Sequence, residues 1–226
     1  PHWVFDGTAH VLRGAGWQPG WEMQRADRPA AGVIASLDDL LTWCRFQWTG
    51  TGADDQEVLS AESLARLHTP VVRADPDTEA GLDWDVETID GVTVIGHGGV
   101  TVGYITDLRV ATVERFAFVG LTNATNGAAV NEAVRRWAFE QGPGLIERDP
   151  EPDPALTATL ELARYEGRYR HSFSNLEITA GDAPGTIVLT ASSRDDTGGW
   201  QPPIDDPITF GFVATDHAVS LDAPGP

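Results

Sequence analysis

The chain has 226 residues, 41% of them hydrophobic, and carries 34 acidic against 15 basic side chains for a net charge of −19. That length admits one full core and a small second domain. So acidic a surface repels phosphate backbones, which excludes nucleic acid as a partner, and no apolar run reaches the roughly 18–20 residues that a membrane span needs.

All 15 basic residues are Arg and none is Lys, so no step that requires a lysine amine belongs to these residues. Cys44 is the only cysteine. It can form no internal disulfide, and its place on the apolar side of a helix reads as a buried structural thiol rather than a nucleophile. The chain opens Pro1-His2-Trp3 with no initiator Met and no targeting segment, which suggests a processed product or a fragment. Localisation and oligomeric state stay open.

Residues 1–30, rich in Trp, Gly and Pro (Trp3, Trp17, Trp21), have no periodicity and read as an irregular segment packed against something else. A helix is predicted from Ser36 to Trp48, with Ser36 and Asp39 as a capping pair and Leu37, Leu40, Leu41, Cys44 and Trp48 at helical spacing; Gly50 and Gly52 end it. Of the neighbouring acidic pairs, Asp39 reads as a cap, and Asp38, Asp54 and Asp55 as solvated. A second helix, Ser60 to His68, stops before Pro70. From Gly81 the period changes to that of strands: Leu82–Ile89 and Val92–Gly96, joined by the Asp90-Gly91 hairpin signal, then Gly103–Val110 and Phe116–Thr122. A helix over Ala128–Glu140 follows, with Val130, Val134, Trp137 and Ala138 on one side. The order predicts an α+β fold, an antiparallel sheet flanked by helices, over residues 1–148.

Residues 149–154 alternate proline with carboxylate and read as a stiff linker. Residues 155–226 hold a short helical piece, Ala155–Ala163, and then only short strands: Tyr165–Arg170, Asn175–Thr179, Thr186–Thr190, Ile208–Val213 and Ala218–Leu221. Turn residues such as Gly181-Asp182 and Gly198-Gly199 separate them. This predicts a small all-β module, an incomplete barrel or sandwich. Ser172 and Ser174 lack a nucleophile context and read as strand-edge residues. Asp195-Asp196 and Asp205-Asp206 lack a calcium-loop pattern.

The segment with chemical content is Gly96-His97-Gly98-Gly99-Val100-Thr101-Val102-Gly103-Tyr104. One polar side chain on a strand is followed by glycines that leave the backbone open to a ligand, and an amide beyond them can face a developing oxyanion. By itself, His97 reads rather as a strand histidine satisfied by a backbone carbonyl. The other histidines show no metal-ligand spacing, and neither metal nor cofactor is expected.

This segment resembles the third active-site motif of the serine β-lactamase-like, penicillin-binding-protein-like hydrolases, which is Lys-Thr-Gly in many members and His-x-Gly in esterases and peptidases. Three further landmarks carry the resemblance in order. Arg28-Pro29-Ala30-Ala31-Gly32 through Leu40 resembles the family's Pro-Ala-Gly-Gly-Leu-x-Ser-Thr-x-x-Asp-Leu. Gly81-Leu82-Asp83-Trp84 resembles Gly-Leu-Gly-Trp, and Leu121-Thr122-Asn123 resembles Leu-x-Asn before a helix. Tyr165-Glu166-Gly167-Arg168-Tyr169 resembles the opening of the lipocalin-like module that some members carry.

The resemblance implies acyl-enzyme chemistry on an amide or ester: a D-amino-acid peptide, a β-lactam or a small ester. His97 would be catalytic, holding or polarising the substrate. Gly99 would permit close approach, and the Val100 amide would donate to the oxyanion. Gly98, Thr101 and Tyr104 would bind substrate. The family's Ser-x-x-Lys and Tyr-x-Asn motifs are absent, so the resemblance implies a partner: the N-terminal part of the same protein, carrying the nucleophilic serine. Alone, the chain is expected to be inactive. Two other readings stand beside this one: a non-catalytic peptidoglycan or ligand binder on the same fold, and a carbohydrate- or partner-binding role for the β-module.

Overall fold

In the computed structural model the described residues are 2–5, 7–11, 25–26, 28–74, 78–101, 103–170, 174–193, 207–215 and 217–222. The readings of Trp17, Trp21, Ser172, Gly198-Gly199, Asp195-Asp196 and Asp205-Asp206 lie outside them. The chain divides into two compact units, Pro1–Glu147 and Arg148–Pro226.

The first unit opens with a hairpin of β1 (His2–Phe5) and β2 (Thr8–Val11), where irregular chain was expected. Asp6-Gly7 is a hairpin signal, and Gly7 takes the left-handed φ of 67° that such a turn requires. The hairpin is held by main-chain bonds: the His2 N–H donates to the Asn123 carbonyl at 2.7 Å, and the Thr125 N–H to the His2 carbonyl at 3.1 Å. One helical turn, α1 (Arg28–Ala31), leads to α2 (Leu37–Thr49). Ser36 and Asp39 form the expected capping box, which holds the Asp39 carboxyl below its usual range, and Gly50 closes the helix in the left-handed conformation. Next comes α3 (Ala61–His68), capped by Ser60.

The sheet that follows is six-stranded and antiparallel, in the order β3 (Val72–Arg73), β4 (Thr78–Ala80), β5 (Asp85–Ile89), β6 (Val92–Thr101), β7 (Tyr104–Ala111), β8 (Phe116–Thr122). Sequence reading missed β3 and β4, started β5 three residues early, and stopped β6 five residues short. After β8 the chain enters α4 (Gly127–Gln141). The fold is α+β, as expected from the order of elements.

The two sheet faces differ. On one, Cys44 of α2 packs with Trp84, Val86, Ile95, Leu108 and Val110, and burial pushes the Cys44 thiol up to about 11, far from reactive. On the other, Ile89, Val94, Ala111 and Phe118 pack against Phe139 of α4 and Leu145. Of the four residues noted on one side of α4, Val130, Val134 and Trp137 are exposed and Ala138 packs on the Phe139 cluster, and the helix buries Asn131 and Phe139.

The reason is polar. The sheet beneath α4 offers the Ile105 carbonyl, which accepts from Asn131 Nδ2 at 3.3 Å, and the Asp107 carboxylate, which accepts from Arg135 Nη1 at 2.6 Å. Asp107 also pairs with Arg109 at 2.9 Å, and Arg109 lies 3.7 Å from Glu87 on β5. Arg135 in turn forks onto Glu147, at 3.0 Å from Nε and 2.9 Å from Nη2. Burial opposes the Arg135 charge, but the Glu147 bonds and the Asp107 charge outweigh it and raise its pKa. For Glu87 burial dominates over the attraction of Arg109 and Arg135, and its pKa is raised.

The second unit begins with α5 (Pro154–Thr157), capped by Asp153, and a 3-10 turn at Leu162–Arg164, a shorter helical piece than expected. A five-stranded antiparallel meander follows: β9 (Gly167–Arg170), β10 (Ser174–Ala180), β11 (Thr186–Ser193), β12 (Ile208–Ala214) and β13 (His217–Ser220). Ile187 and Phe212 are buried, and the Tyr165 ring lies 4.8 Å from that of Phe212, its hydroxyl donating to the Thr215 carbonyl. No helix among the described residues is long and apolar enough to cross a membrane.

Two measurements test the charge network. Asp107→Asn removes the carboxylate shared by two shielded guanidinium groups and is expected to cost about 3 kcal/mol in urea unfolding; an unchanged midpoint would show the network to be solvated. Glu87→Gln is expected to raise Tm at pH 7, because a raised carboxyl pKa means that the ionised form disfavours the fold. That advantage should vanish as pH falls through the carboxylate range and Glu87 itself becomes neutral. A lower Tm for E87Q at pH 7 would mean that the attraction of Arg109 outweighs burial.

Candidate functional site

Strand β6 is ten residues long, but its neighbour β5 is only five. The last β5 pairing is Asp85 with Gly96, whereas β7 continues along β6 to the Thr101–Tyr104 pair. From His97 to Thr101 the strand therefore has β7 on one side and, among the described residues, no strand on the other. An extended ligand can use the free main-chain donors and acceptors of such an edge.

The pleat puts His97, Gly99 and Thr101 on the face shared with Ile95, the α2 side of the sheet. An open trough of about 1990 Å³ lies there. Its lining brings together all six residues singled out in the sequence: His97, Gly98, Gly99, Val100, Thr101 and Tyr104. Sequence reading missed Trp43 and Phe46 of α2, Thr106 and Leu121 on the neighbouring strands, and Asp83 in the bend before β5. Helical spacing marks Trp43 and Phe46 only as a pair, and their stacking at 5.2 Å gives the trough an aromatic wall.

His97 is exposed, and its Nδ1 lies 2.6 Å from the Gly98 carbonyl. A carbonyl only accepts, so Nδ1 carries the hydrogen and the neutral ring keeps its lone pair on Nε2. In that neutral form the ring offers a proton acceptor on the residue that starts the open edge. The two glycines after it are not equivalent. A Cβ on Gly99 would sit 2.6 Å from Thr106 Oγ1, which donates to the Gly99 carbonyl at 3.3 Å. A Cβ on Gly98 would meet only the Thr106 carbonyl, at 3.6 Å. Gly99 is demanded by the neighbouring strand, while Gly98 leaves open space above the edge.

Behind this stretch lies the ion network. Gly96 makes room for it: a Cβ there would lie 2.5 Å from Arg109 Nη1. Asp107, the register partner of Gly98, is held between Arg109 and Arg135. The trough side is mainly apolar, with Val33, Ile34, Trp43 and Val100 all exposed. Chemically, the arrangement can align an extended amide or ester, shield one side of it from water, and present an imidazole to it.

Comparisons with known proteins agree on the lineage. Two D-aminopeptidases, from Brucella melitensis biotype 2 and biotype 1, are each 27% identical over 183 residues, which is 73% of this chain and 33% of theirs. The chain thus spans about a third of the length of these relatives. The crystal structure of SurE with D-Leu shares the fold, with a TM-score of 0.52 and 22% identity over 82% of this chain and 47% of that one. The Beta-lactamase family model matches residues 3–142, more than half of the chain and the whole of the trough, and the chain belongs to that family.

Proposed function

We propose that this chain supplies the substrate-binding strand of a serine hydrolase that works through an acyl-enzyme. The observation that carries the reading is the one-sided edge of β6 from His97 to Thr101, with the His97 imidazole beside it. Membership of the Beta-lactamase family supports it. In this reading the nucleophilic serine and its activating lysine come from polypeptide other than these 226 residues, which contain no Lys.

The chemistry is acyl transfer. A serine oxygen adds to the carbonyl carbon of an amide or ester, and its proton passes to a base. The carbonyl oxygen becomes an oxyanion, which the Val100 N–H and the nucleophile's own N–H receive. Collapse breaks the bond to the amine or alcohol, which leaves with the proton, and water then hydrolyses the acyl-serine. His97 Nε2 takes up a proton during the reaction and, once protonated, can donate to the bound group. Gly98, Gly99, Thr101 and Tyr104 hold the substrate. The D-aminopeptidase relatives favour a D-amino-acid peptide over a β-lactam or a small ester. A chain without lysine also suits a non-catalytic ligand binder on the same fold.

A fluorophosphonate probe is expected to leave the isolated chain unlabelled and to label the Ser-x-x-Lys polypeptide that completes the trough. If that polypeptide keeps both residues, joins this chain and takes no label, the binder reading replaces the hydrolase. In the completed protein His97→Ala is expected to lower kcat/KM for a D-amino-acid anilide by about 100-fold, with Tm unchanged because the side chain is exposed. An unaltered kcat/KM would remove His97 from the chemistry.

A further inference from the structure

The direction of each main-chain group along the open edge follows from the strands behind it. The Ile105 carbonyl accepts from Thr122 Oγ1 at 2.9 Å, and Thr122 is the β8 register partner of Ile105. Ile105 therefore turns its peptide groups toward β8. Successive residues of a strand alternate, so Thr106 turns toward β6, where its register partner is Gly99. In agreement, a Cβ on Gly98 would lie 3.6 Å from the Thr106 carbonyl oxygen. The same alternation on β6 turns Gly99 toward β7 and Val100 away from it, to the side where no described strand pairs.

One peptide thus joins the interior of the sheet to its free edge. Its carbonyl, that of Gly99, points at β7. Its N–H, that of Val100, points outward, because the two are opposed in a trans peptide.

A side chain meets the inward end of this peptide. Thr106 Oγ1 donates to the Gly99 carbonyl at 3.3 Å, and the same oxygen would lie 2.6 Å from a Cβ on Gly99. The hydroxyl therefore sits directly over Gly99, which has no side chain to displace it. Thr106 is half-buried on the trough face, and its branched side chain has few rotamers, so the hydroxyl is held there. A hydrogen bond to a carbonyl draws electron density through the amide and makes the N–H of the same peptide a stronger donor. It also fixes the tilt of the peptide plane. Both effects gain in worth as negative charge develops opposite the N–H, so they act on the transition state more than on bound substrate.

We infer that Thr106 is a positioning residue, whose hydroxyl orients and polarises the Gly99–Val100 peptide so that the Val100 N–H meets the oxyanion. The inference rests on the hydrolase reading and adds to it a side chain that acts through one peptide rather than on the substrate.

Two variants separate the hydroxyl from the shape. Thr106→Val keeps the branch and loses the hydroxyl, and Thr106→Ser keeps the hydroxyl. In NMR spectra of the full 226-residue chain, T106V is expected to move the Gly99 carbonyl-carbon and Val100 amide-nitrogen resonances upfield, and T106S to leave both near their original positions. In the completed protein, with a D-amino-acid anilide, T106V is expected to lower kcat by about 10-fold with KM little changed, and T106S to recover most of that loss. A raised KM with kcat unaltered would mean that the hydroxyl contacts substrate from the trough, and overturns the inference. So does an equal loss in both variants, the mark of a packing defect, or a pair of resonances that T106V does not move. If the serine of the completed protein takes no fluorophosphonate, the hydrolase reading falls and the inference with it. A labelled serine with an unaltered kcat in T106V removes Thr106 alone.

Discussion

Asp107 is the point on which the first unit turns. Its carboxylate, on β7, is shared between Arg109 of the same strand and Arg135 of α4, and Arg135 carries the link on to Glu147 beyond the helix. Three elements distant in sequence are thereby fixed relative to one another by charge rather than by apolar contact alone. The fork of Arg135 lies on Glu147 and ties the helix to the segment that follows it, while a single Nη1 bond to Asp107 ties it to the sheet. The cost appears on the other side of the helix, where Val130, Val134 and Trp137 face outward.

This network accounts for one glycine of β6, and a threonine on the opposite face for another. Gly96 is small because the Arg109 side chain occupies the space above it, and Gly99 because Thr106 crowds it from the opposite face. The run that looks like a ligand-facing motif is therefore partly a packing motif, with two neighbours of different kinds. Only Gly98 has open space, and it lies between His97 and Gly99 on the free edge. Packing demands and ligand access coincide in one short segment.

Much of this was legible because local chemistry agreed with the global fold. The Ser36–Asp39 capping box, the Asp90-Gly91 hairpin and the Phe116–Thr122 strand all rest on residues a few positions apart. The six candidate residues from His97 to Tyr104 are nearly contiguous, so one strand and one turn bring them to one trough. What escaped depends on distant partners. The apolar residues of α4 do not tell which side of the helix turns inward, because the deciding residue, Asp107, lies 28 positions before Arg135. The short β3 and β4 have too few residues to show a period, and the N-terminal hairpin was hidden by its Trp- and Gly-rich surroundings. Asp83 could not be recognised from spacing, since its placement depends on where β5 leaves β6.

The free edge of β6 also bears on handedness. In extended backbone the side chain leaves one face of the sheet while the α-hydrogen stays near the plane of the strands, so inverting the configuration at a carbon paired along His97–Thr101 swings its side chain toward that plane and against the pairing. The two faces of the edge also differ: one opens on the apolar trough, and the other continues the charged layer under α4. Which side chains of an extended ligand would meet the trough is therefore set by the register of pairing, and how well they fit by the configuration at each carbon.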